Sequence, residues 1–125
     1  MFVFLVQPEN IICETKNSTS VKICDFGLAT KLDPNEVVKV SAATVEFAAP
    51  EIVDHDAVGF YTDMWAAGVL AYVILSGLSP FGGKDDDETM DNIRKCNIRF
   101  PDEAFRDISD EGKDFIEKLL LKNRK

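Results

Sequence analysis

The alternation of hydrophobic and polar residues divides the chain into an irregular first part and a helical second part. Two short runs rich in β-branched residues, Ile11–Cys13 and Val21–Cys24, flank a polar turn at 16–20 and predict a small β-hairpin. From 28 to 47 the sequence shows little periodicity and mixes Pro, Asn, Ser, Thr and Ala. We expect a long irregular loop there, and long loops inside compact domains usually carry function.

The second part of the chain predicts three helices. The segment 61–75 contains twelve consecutive apolar residues, which suits a core helix and is too short to cross a bilayer. The segments 85–95 and 110–122 predict amphipathic helices. The last of these has Ser109 as its N-cap and an apolar stripe of Phe115, Ile116, Leu119 and Leu120.

The first of these helices is apolar on every face, so it needs neighbours on all sides. The two later helices cannot supply all of them, which indicates that the chain is part of a larger core. The predicted fold class is mostly α with a small β-hairpin, built around a buried central helix.

The composition excludes several classes of protein. The 125 residues are 46% apolar and 29% charged, as expected for one modest soluble domain. A net charge of −8 argues against a nucleic-acid partner and suits a surface that attracts basic peptides. The three cysteines form no CxxC pair and are interpreted as reduced intracellular thiols. With no signal peptide or membrane segment, the predicted location is cytoplasmic.

Three short motifs give the chain its candidate chemistry. In chain order they are Pro8-Glu9-Asn10, Asp25-Phe26-Gly27 and Ala49-Pro50-Glu51. Magnesium ions prefer oxygen ligands, and a carboxylate at Asp25 and an amide oxygen at Asn10 supply such a pair next to the two predicted strands. Asp-Phe-Gly alone is a weak signal, but the ordered set is a very specific one.

From Pro8 to Leu121 the chain resembles the C-terminal lobe of a serine/threonine protein kinase. It is most similar to the giant muscle kinases (twitchin, projectin and titin) and to myosin light chain kinase. The stretches that carry the resemblance are 20–29, 46–51, 61–65, 75–81 and 112–116. The resemblance implies a kinase-like fold and transfer of the ATP γ-phosphate to protein Ser or Thr, with ATP and Mg²⁺ as cofactors.

The same resemblance assigns roles to individual residues. It implies that Asn10 and Asp25 hold Mg²⁺, and that Asp25 also belongs to the cofactor site with Ile12 and Cys24, which line the floor of the adenine pocket and its approach to the phosphates. The remaining implied roles are substrate binding by Glu9, which would meet a basic residue near the target Ser or Thr, and by Thr44, near the acceptor hydroxyl. Glu51 would form a buried ion pair.

The resemblance also implies partners that lie outside these residues. A protein substrate with basic residues near its Ser or Thr is expected. A calmodulin-like regulator would act through a C-terminal tail that the chain does not contain. The implied location is the sarcomere.

Two positions depart from the kinase pattern. Leu5 stands where the catalytic aspartate belongs, and Gln7 stands where a lysine contacts the transferring phosphate. Leucine cannot accept a proton from a substrate hydroxyl, and neutral glutamine stabilises phosphate charge weakly. No catalytic residue is therefore assigned, and the chain alone is predicted to be inactive.

The predicted domain division places a non-native or unrelated stretch at 1–7 and a partial kinase domain, truncated at both ends, at 8–125. Two hypotheses about function stay open. The chain is either a fragment of an active kinase or a non-catalytic binding module, such as a pseudokinase-like short isoform. Whether the N-terminus is a real isoform or a gene-model error is open at this point.

Overall fold

A computed structural model describes residues 6–33, 35, 37–40 and 44–122, together with the backbone of 2–3. Short strands occupy the first part of the chain and helices occupy the second. The strands are β1 (Phe2–Val3), β2 (Ile11–Cys13), β3 (Val21–Ile23) and β4 (Thr30–Lys31). The helices are α1 (Pro50–Val53), α2 (Phe60–Ser76), α3 (Asp86–Lys95), α4 (Asp102–Phe105) and α5 (Asp110–Leu119). Single 3-10 turns lie at Pro8–Asn10 and Val45–Phe47.

The predicted hairpin is confirmed. Strands β2 and β3 pair antiparallel, with Ile12 opposite Lys22, and the second strand ends at Ile23, one residue earlier than expected. The turn is closed by the Glu14 backbone N–H, which donates to the Ser20 carbonyl at 3.1 Å. A second antiparallel pair, β1 with β4, was not predicted, because each strand is too short to show periodicity.

Helix α2 lies at the centre of the core, as predicted. It ends at Gly77, whose φ of 70° is a conformation that glycine adopts without a side-chain clash. Gly68 lets α5 approach closely, since a Cβ atom there would come within 2.8 Å of the Leu119 Cβ. The side chains that α2 buries are Thr62, Trp65, Ala66, Val69 and Tyr72.

Burial of α2 on every face is the part of the prediction that is wrong. Phe60 is 54% exposed and Ile74 is 71% exposed, and Met64 and Leu75 are exposed as well. These residues follow one another along one side of the helix. An apolar residue indicates that a face is able to be buried, whereas actual burial depends on a neighbour that covers it.

The two later helices agree closely with prediction: α3 begins one residue late and ends at Lys95 as predicted, and α5 begins at Asp110 as predicted. The Asp85 side chain accepts from the Glu88 backbone N–H, and Ser109 caps α5 by accepting from the Gly112 N–H at 3.2 Å. Helix α5 ends at Leu119, three residues before the predicted end. Phe115 is exposed, so the buried stripe is narrower than predicted.

Aromatic side chains fill the space between the helices. Trp65 stacks on Phe81 with ring centroids 5.2 Å apart. Tyr72 packs against Phe105 at 4.8 Å, and Phe105 meets Phe100 edge to face at 4.9 Å. Helices α1 and α4, four residues each, were missed because they are too short for periodic patterns. None of the described helices is both long and apolar enough to cross a membrane.

Candidate active site

The hairpin brings the two predicted metal ligands to one edge. Asn10 directly precedes β2, and Asp25 follows β3 by two positions. Because the strands are antiparallel, the start of β2 lies beside the end of β3. The Cys24 backbone N–H donates to the Asn10 carbonyl at 2.8 Å, which continues the strand register by one more pair. Asp25 is therefore one residue beyond the position opposite Asn10.

Asp25 adopts an unusual backbone conformation. Its φ of 57° lies in the left-handed region, which few residues other than glycine occupy. The Asp25 Oδ1 accepts from the Gly27 backbone N–H at 3.1 Å, so the side chain helps to hold its own turn. The residue is exposed, and its carboxylate is accessible to a ligand.

The predicted adenine-floor residues share a face of the hairpin. In the β2–β3 register, Ile12 lies opposite Lys22, and Cys24 lies opposite Asn10. Positions two apart along a strand point to the same face, so Asn10, Ile12 and Cys24 lie on one face. Ile12 is 55% exposed and Cys24 is half-buried. This face therefore carries the Ile12 and Cys24 side chains, together with Lys22, beside the metal-ligand edge.

A hydrogen bond joins Gln7 to Thr44. The Thr44 Oγ1 donates to the Gln7 Oε1 at 2.7 Å, although the residues are 37 positions apart. Gln7 precedes the turn that contains Asn10, and Thr44 precedes the turn Val45–Phe47, whose Phe47 is buried in the helical core. The bond thus links the metal-ligand segment to the predicted substrate-side loop. Sequence reasoning proposed both residues separately and missed their contact, because no local pattern reports a separation of this length.

Glu9 and Leu5 complete the set of predicted site residues. Glu9 is exposed in the Pro8–Asn10 turn and forms no ion pair with any residue that the structure describes. Its carboxylate is therefore available to a basic partner. The prediction about Leu5 falls outside the described residues.

Glu51 is held by a hydroxyl group. The Thr62 Oγ1 donates to the Glu51 Oε1 at 2.7 Å and accepts from the Gly59 backbone N–H at 3.0 Å. Thr62 is fully buried, and Glu51 is half-buried. Within the described part of the chain Glu51 forms no ion pair, and its carboxylate is held by this hydroxyl. The pKa of the nearby Tyr61 is raised, mainly by burial and to a smaller extent by the negative charges of Glu51 and Asp56.

The oxygen donors suit a magnesium ion that is shared with a nucleotide. Among the described residues no group of three or more His, Cys, Asp or Glu could enclose a metal ion. Asn10 and Asp25 offer one amide oxygen and one carboxylate. Magnesium is usually bound by one or two carboxylates, with substrate phosphates and water filling the other positions. The residues present fit that arrangement.

Comparison with known proteins defines the family. The model of the protein kinase domain matches residues 6–125, and the chain belongs to this family. Human myosin light chain kinase family member 4 is 52% identical over 119 residues, which is 95% of this chain and 31% of the relative. The titin homolog of Caenorhabditis elegans is 49% identical over 120 residues, which is 96% of this chain and 1% of the relative.

Solved structures give the same result. The twitchin kinase region from C. elegans superimposes with a TM-score of 0.90 and 54% identity, over 98% of this chain and 22% of that chain. The autoinhibited serine kinase domain of the giant muscle protein titin gives a TM-score of 0.89 and 39% identity, over 98% of this chain and 38% of that chain. The predicted kinase-like fold and the similarity to muscle kinases are confirmed. The chain spans 31% of the length of the myosin light chain kinase relative.

Proposed function

We propose that residues 8–125 form the metal- and substrate-binding part of an ATP-dependent serine/threonine protein kinase. The observation that carries the proposal is the Cys24–Asn10 backbone bond of 2.8 Å, which sets Asn10 and Asp25 at one edge of the hairpin. The Gln7–Thr44 bond supports it by joining that edge to the substrate-side loop.

Each of these residues has a defined task in the proposed site. Asn10 and Asp25 hold Mg²⁺, which when bound neutralises the charge of the nucleotide phosphates. Ile12 and Cys24 supply the surface beneath the adenine ring. Glu9 attracts a basic residue of the protein substrate, and the net charge of −8 favours the same kind of partner.

We further propose that the chain transfers no phosphate on its own. Phosphoryl transfer in this family uses an aspartate that accepts the proton of the substrate hydroxyl. Leu5 has no group able to do this, and Gln7 carries no positive charge to stabilise the transferring phosphate. The Gln7 Oε1 instead accepts a hydrogen bond from Thr44, an acceptor that a lysine at this position would not provide.

A pair of chimeras tests the proposal. In the first, the N-terminal lobe and catalytic loop of the C. elegans twitchin kinase region replace residues 1–7 and continue directly into Pro8. In the second, the same lobe is joined to the chain so that Leu5, Val6 and Gln7 are kept. We expect the first to phosphorylate a basic serine peptide with ATP and Mg²⁺, and the second to be slower by about 10²-fold or more.

Substitutions in the first chimera identify the residues responsible. Asp25→Asn should abolish peptide phosphorylation. Asp33→Asn, at an exposed aspartate that accepts hydrogen bonds from Asn35, should leave it unchanged. An inactive first chimera that unfolds cooperatively would contradict the kinase proposal. An active second chimera would contradict the proposed inactivity of this chain.

A non-catalytic binding module is the second candidate function, and the neutral Gln7–Thr44 contact favours it. It predicts that both chimeras fold and bind a basic peptide while neither transfers phosphate. The remaining proposals, a calmodulin-like regulator and a sarcomeric location in the cytoplasm, rest on the muscle kinases to which the chain is similar.

A further inference from the structure

A pocket of about 480 Å³ lies at the C-terminal end of α3. None of its residues belongs to the candidate active site. The residues that line it are Pro80, Phe81, Gly82, Asn92, Lys95, Asn97 and Arg99. Its volume lies within the range of pockets that bind small molecules or single side chains.

The pocket is positively charged on a chain that is otherwise acidic. Among the described residues its lining contains Lys95 and Arg99 and no carboxylate, whereas the whole chain has a net charge of −8. Neither cation forms an ion pair within the described residues. The adjacent Arg94 differs, because it binds Asp54 at 2.9 Å and Asp91 at 3.0 Å. Asp54 and Asp91 are thus engaged by Arg94, and the two pocket cations are paired with no carboxylate that the structure describes.

The walls of the pocket are held in place before any ligand binds. The Asn92 Nδ2 donates to the Phe81 carbonyl at 3.1 Å, which ties α3 to the loop after α2. The Tyr72 hydroxyl donates to the Arg99 carbonyl at 2.7 Å and fixes the opposite wall. Little conformational freedom of the backbone is lost when a ligand enters a site of this kind.

The C-terminal end of α3 repels a bound anion only weakly. Helix C-termini carry partial negative charge on their last carbonyl groups. Here the Cys96 backbone N–H donates to both the Asn92 and the Ile93 carbonyls, at 3.0 and 3.1 Å, which satisfies part of that charge. The side-chain amide of Asn97 adds further hydrogen-bond donors to the lining.

We propose that this pocket binds the oxyanion of an acidic side chain, a carboxylate or a phosphoryl group, on a peptide segment of a partner protein. Lys95 and Arg99 supply the charge, and the Asn97 amide supplies neutral donors. The proposal is independent of phosphoryl transfer, since it uses neither nucleotide nor metal. Charge-assisted hydrogen bonds of this type are stronger than neutral ones.

Trp65, the single tryptophan of the chain, reports binding directly, because it stacks on the pocket residue Phe81. The full chain is titrated without ATP or Mg²⁺, and tryptophan emission is followed. The probes are a glutamate-containing peptide, the same peptide with phosphoserine, the same peptide with glutamine, and inorganic phosphate. We expect saturable binding of the first two, weakened by added salt. The stronger of those two identifies the source of the oxyanion.

Substitutions then locate the site. Lys95→Gln and Arg99→Gln should each weaken binding of the acidic peptide by about tenfold or more. The matched controls Lys16→Gln and Arg106→Gln, at exposed cations outside the pocket, should leave it unchanged. Arg99→Lys, which keeps the charge, should retain more affinity than Arg99→Gln. Thermal unfolding of each variant tests whether its fold is intact.

Three outcomes would overturn the proposal. One is equal binding of the glutamine and glutamate peptides. Another is unchanged affinity in a folded Lys95→Gln, Arg99→Gln double variant. The last is binding of inorganic phosphate without either acidic peptide, which would show a small-anion site and no peptide site.

Discussion

The segment 6–40 and the segment 44–122 differ in how their residues are held. Every buried hydrophobic residue in the described part of the chain lies between Phe47 and Leu120. In 6–40, by contrast, Leu32, Val38 and Val40 are only partly buried against that core. Six other large apolar side chains are exposed: Ile12, Val21, Ile23, Phe26, Leu28 and Val37. The second segment thus contains the fully buried core. The hairpin part of the first segment is held mainly by backbone pairing and a few polar bonds, whereas its end at 32–40 packs on that core.

The difference matters because most candidate site residues lie in the weakly packed segment. Asn10, Ile12, Cys24 and Asp25 are all there, and Thr44 lies at its border. Regions with few buried contacts open locally at low free-energy cost. The site geometry therefore depends on the hairpin register and on the Gln7–Thr44 bond more than on the helical core.

The largest difference in the free energy of unfolding is expected between alanine substitutions at two isoleucines, one in each segment. Ile93 in α3 is fully buried, whereas Ile23 in β3 is 48% exposed. Ile93→Ala should lower the free energy of unfolding by about 3 kcal/mol, through lost burial and a cavity. Ile23→Ala should lower it by less than about 1 kcal/mol. Urea unfolding followed by Trp65 fluorescence measures both, and equal losses would remove the contrast between the segments.

A pair of threonines sharpens the comparison for polar contacts. Thr62→Val leaves the half-buried Glu51 without its hydroxyl donor and should cost about 2 kcal/mol. Thr44→Val breaks an exposed bond to Gln7, so water replaces the lost partner and the cost should be about 0.5 kcal/mol. Both values come from urea unfolding. A Thr44→Val loss as large as that of Thr62→Val would show that the Gln7 contact holds the fold as well as the site.

The smallest effect is a pH dependence that belongs to the helical segment. Burial raises the pKa of Tyr72 above its ordinary value of 10.0, so the folded state keeps its phenol proton longer than the unfolded state. This contribution to stability is complete below the ordinary pKa and is lost as pH rises through the raised value. Stability should fall above about pH 10, and less steeply in Tyr72→Phe. Tyr72→Phe also loses the bond to the Arg99 carbonyl, about 1 kcal/mol at neutral pH.

Thermal unfolding between about pH 8 and 11 compares the two proteins. If stability falls equally with pH in both proteins, groups other than Tyr72 cause the loss of stability at alkaline pH. Tyr61, whose pKa is also raised, is the next residue to substitute.

Local signals were enough to predict much of the fold. The hairpin, the central helix and the Ser109 cap followed from residue type and spacing, because strand pairing and capping depend on neighbours in sequence. The sequence indicated that α2 would lack neighbours on some side. It did not indicate that the exposed side lies at Phe60 and Ile74, since that depends on how the other elements pack around the helix.

The sequence predicted the residues of the candidate site but not the hydrogen bonds between distant residues. The motifs indicated Asn10 and Asp25, and antiparallel pairing explains why they meet. The Thr44–Gln7 and Thr62–Glu51 bonds join residues that are 37 and 11 positions apart and lie in different elements. Such contacts are fixed by the folded backbone and leave no periodic trace in the sequence.

The left-handed backbone at Asp25 has a consequence for how this sequence is to be redesigned. A non-glycine residue at φ 57° costs about 1 kcal/mol, only partly offset by the bond to the Gly27 N–H. A design procedure that optimises folding alone would write glycine or asparagine at position 25, and the protein would become more stable as it lost its carboxylate. The same torsion recurs at His55 and Cys96, so the choice of aspartate at position 25 is explained by the proposed metal site and not by the backbone alone.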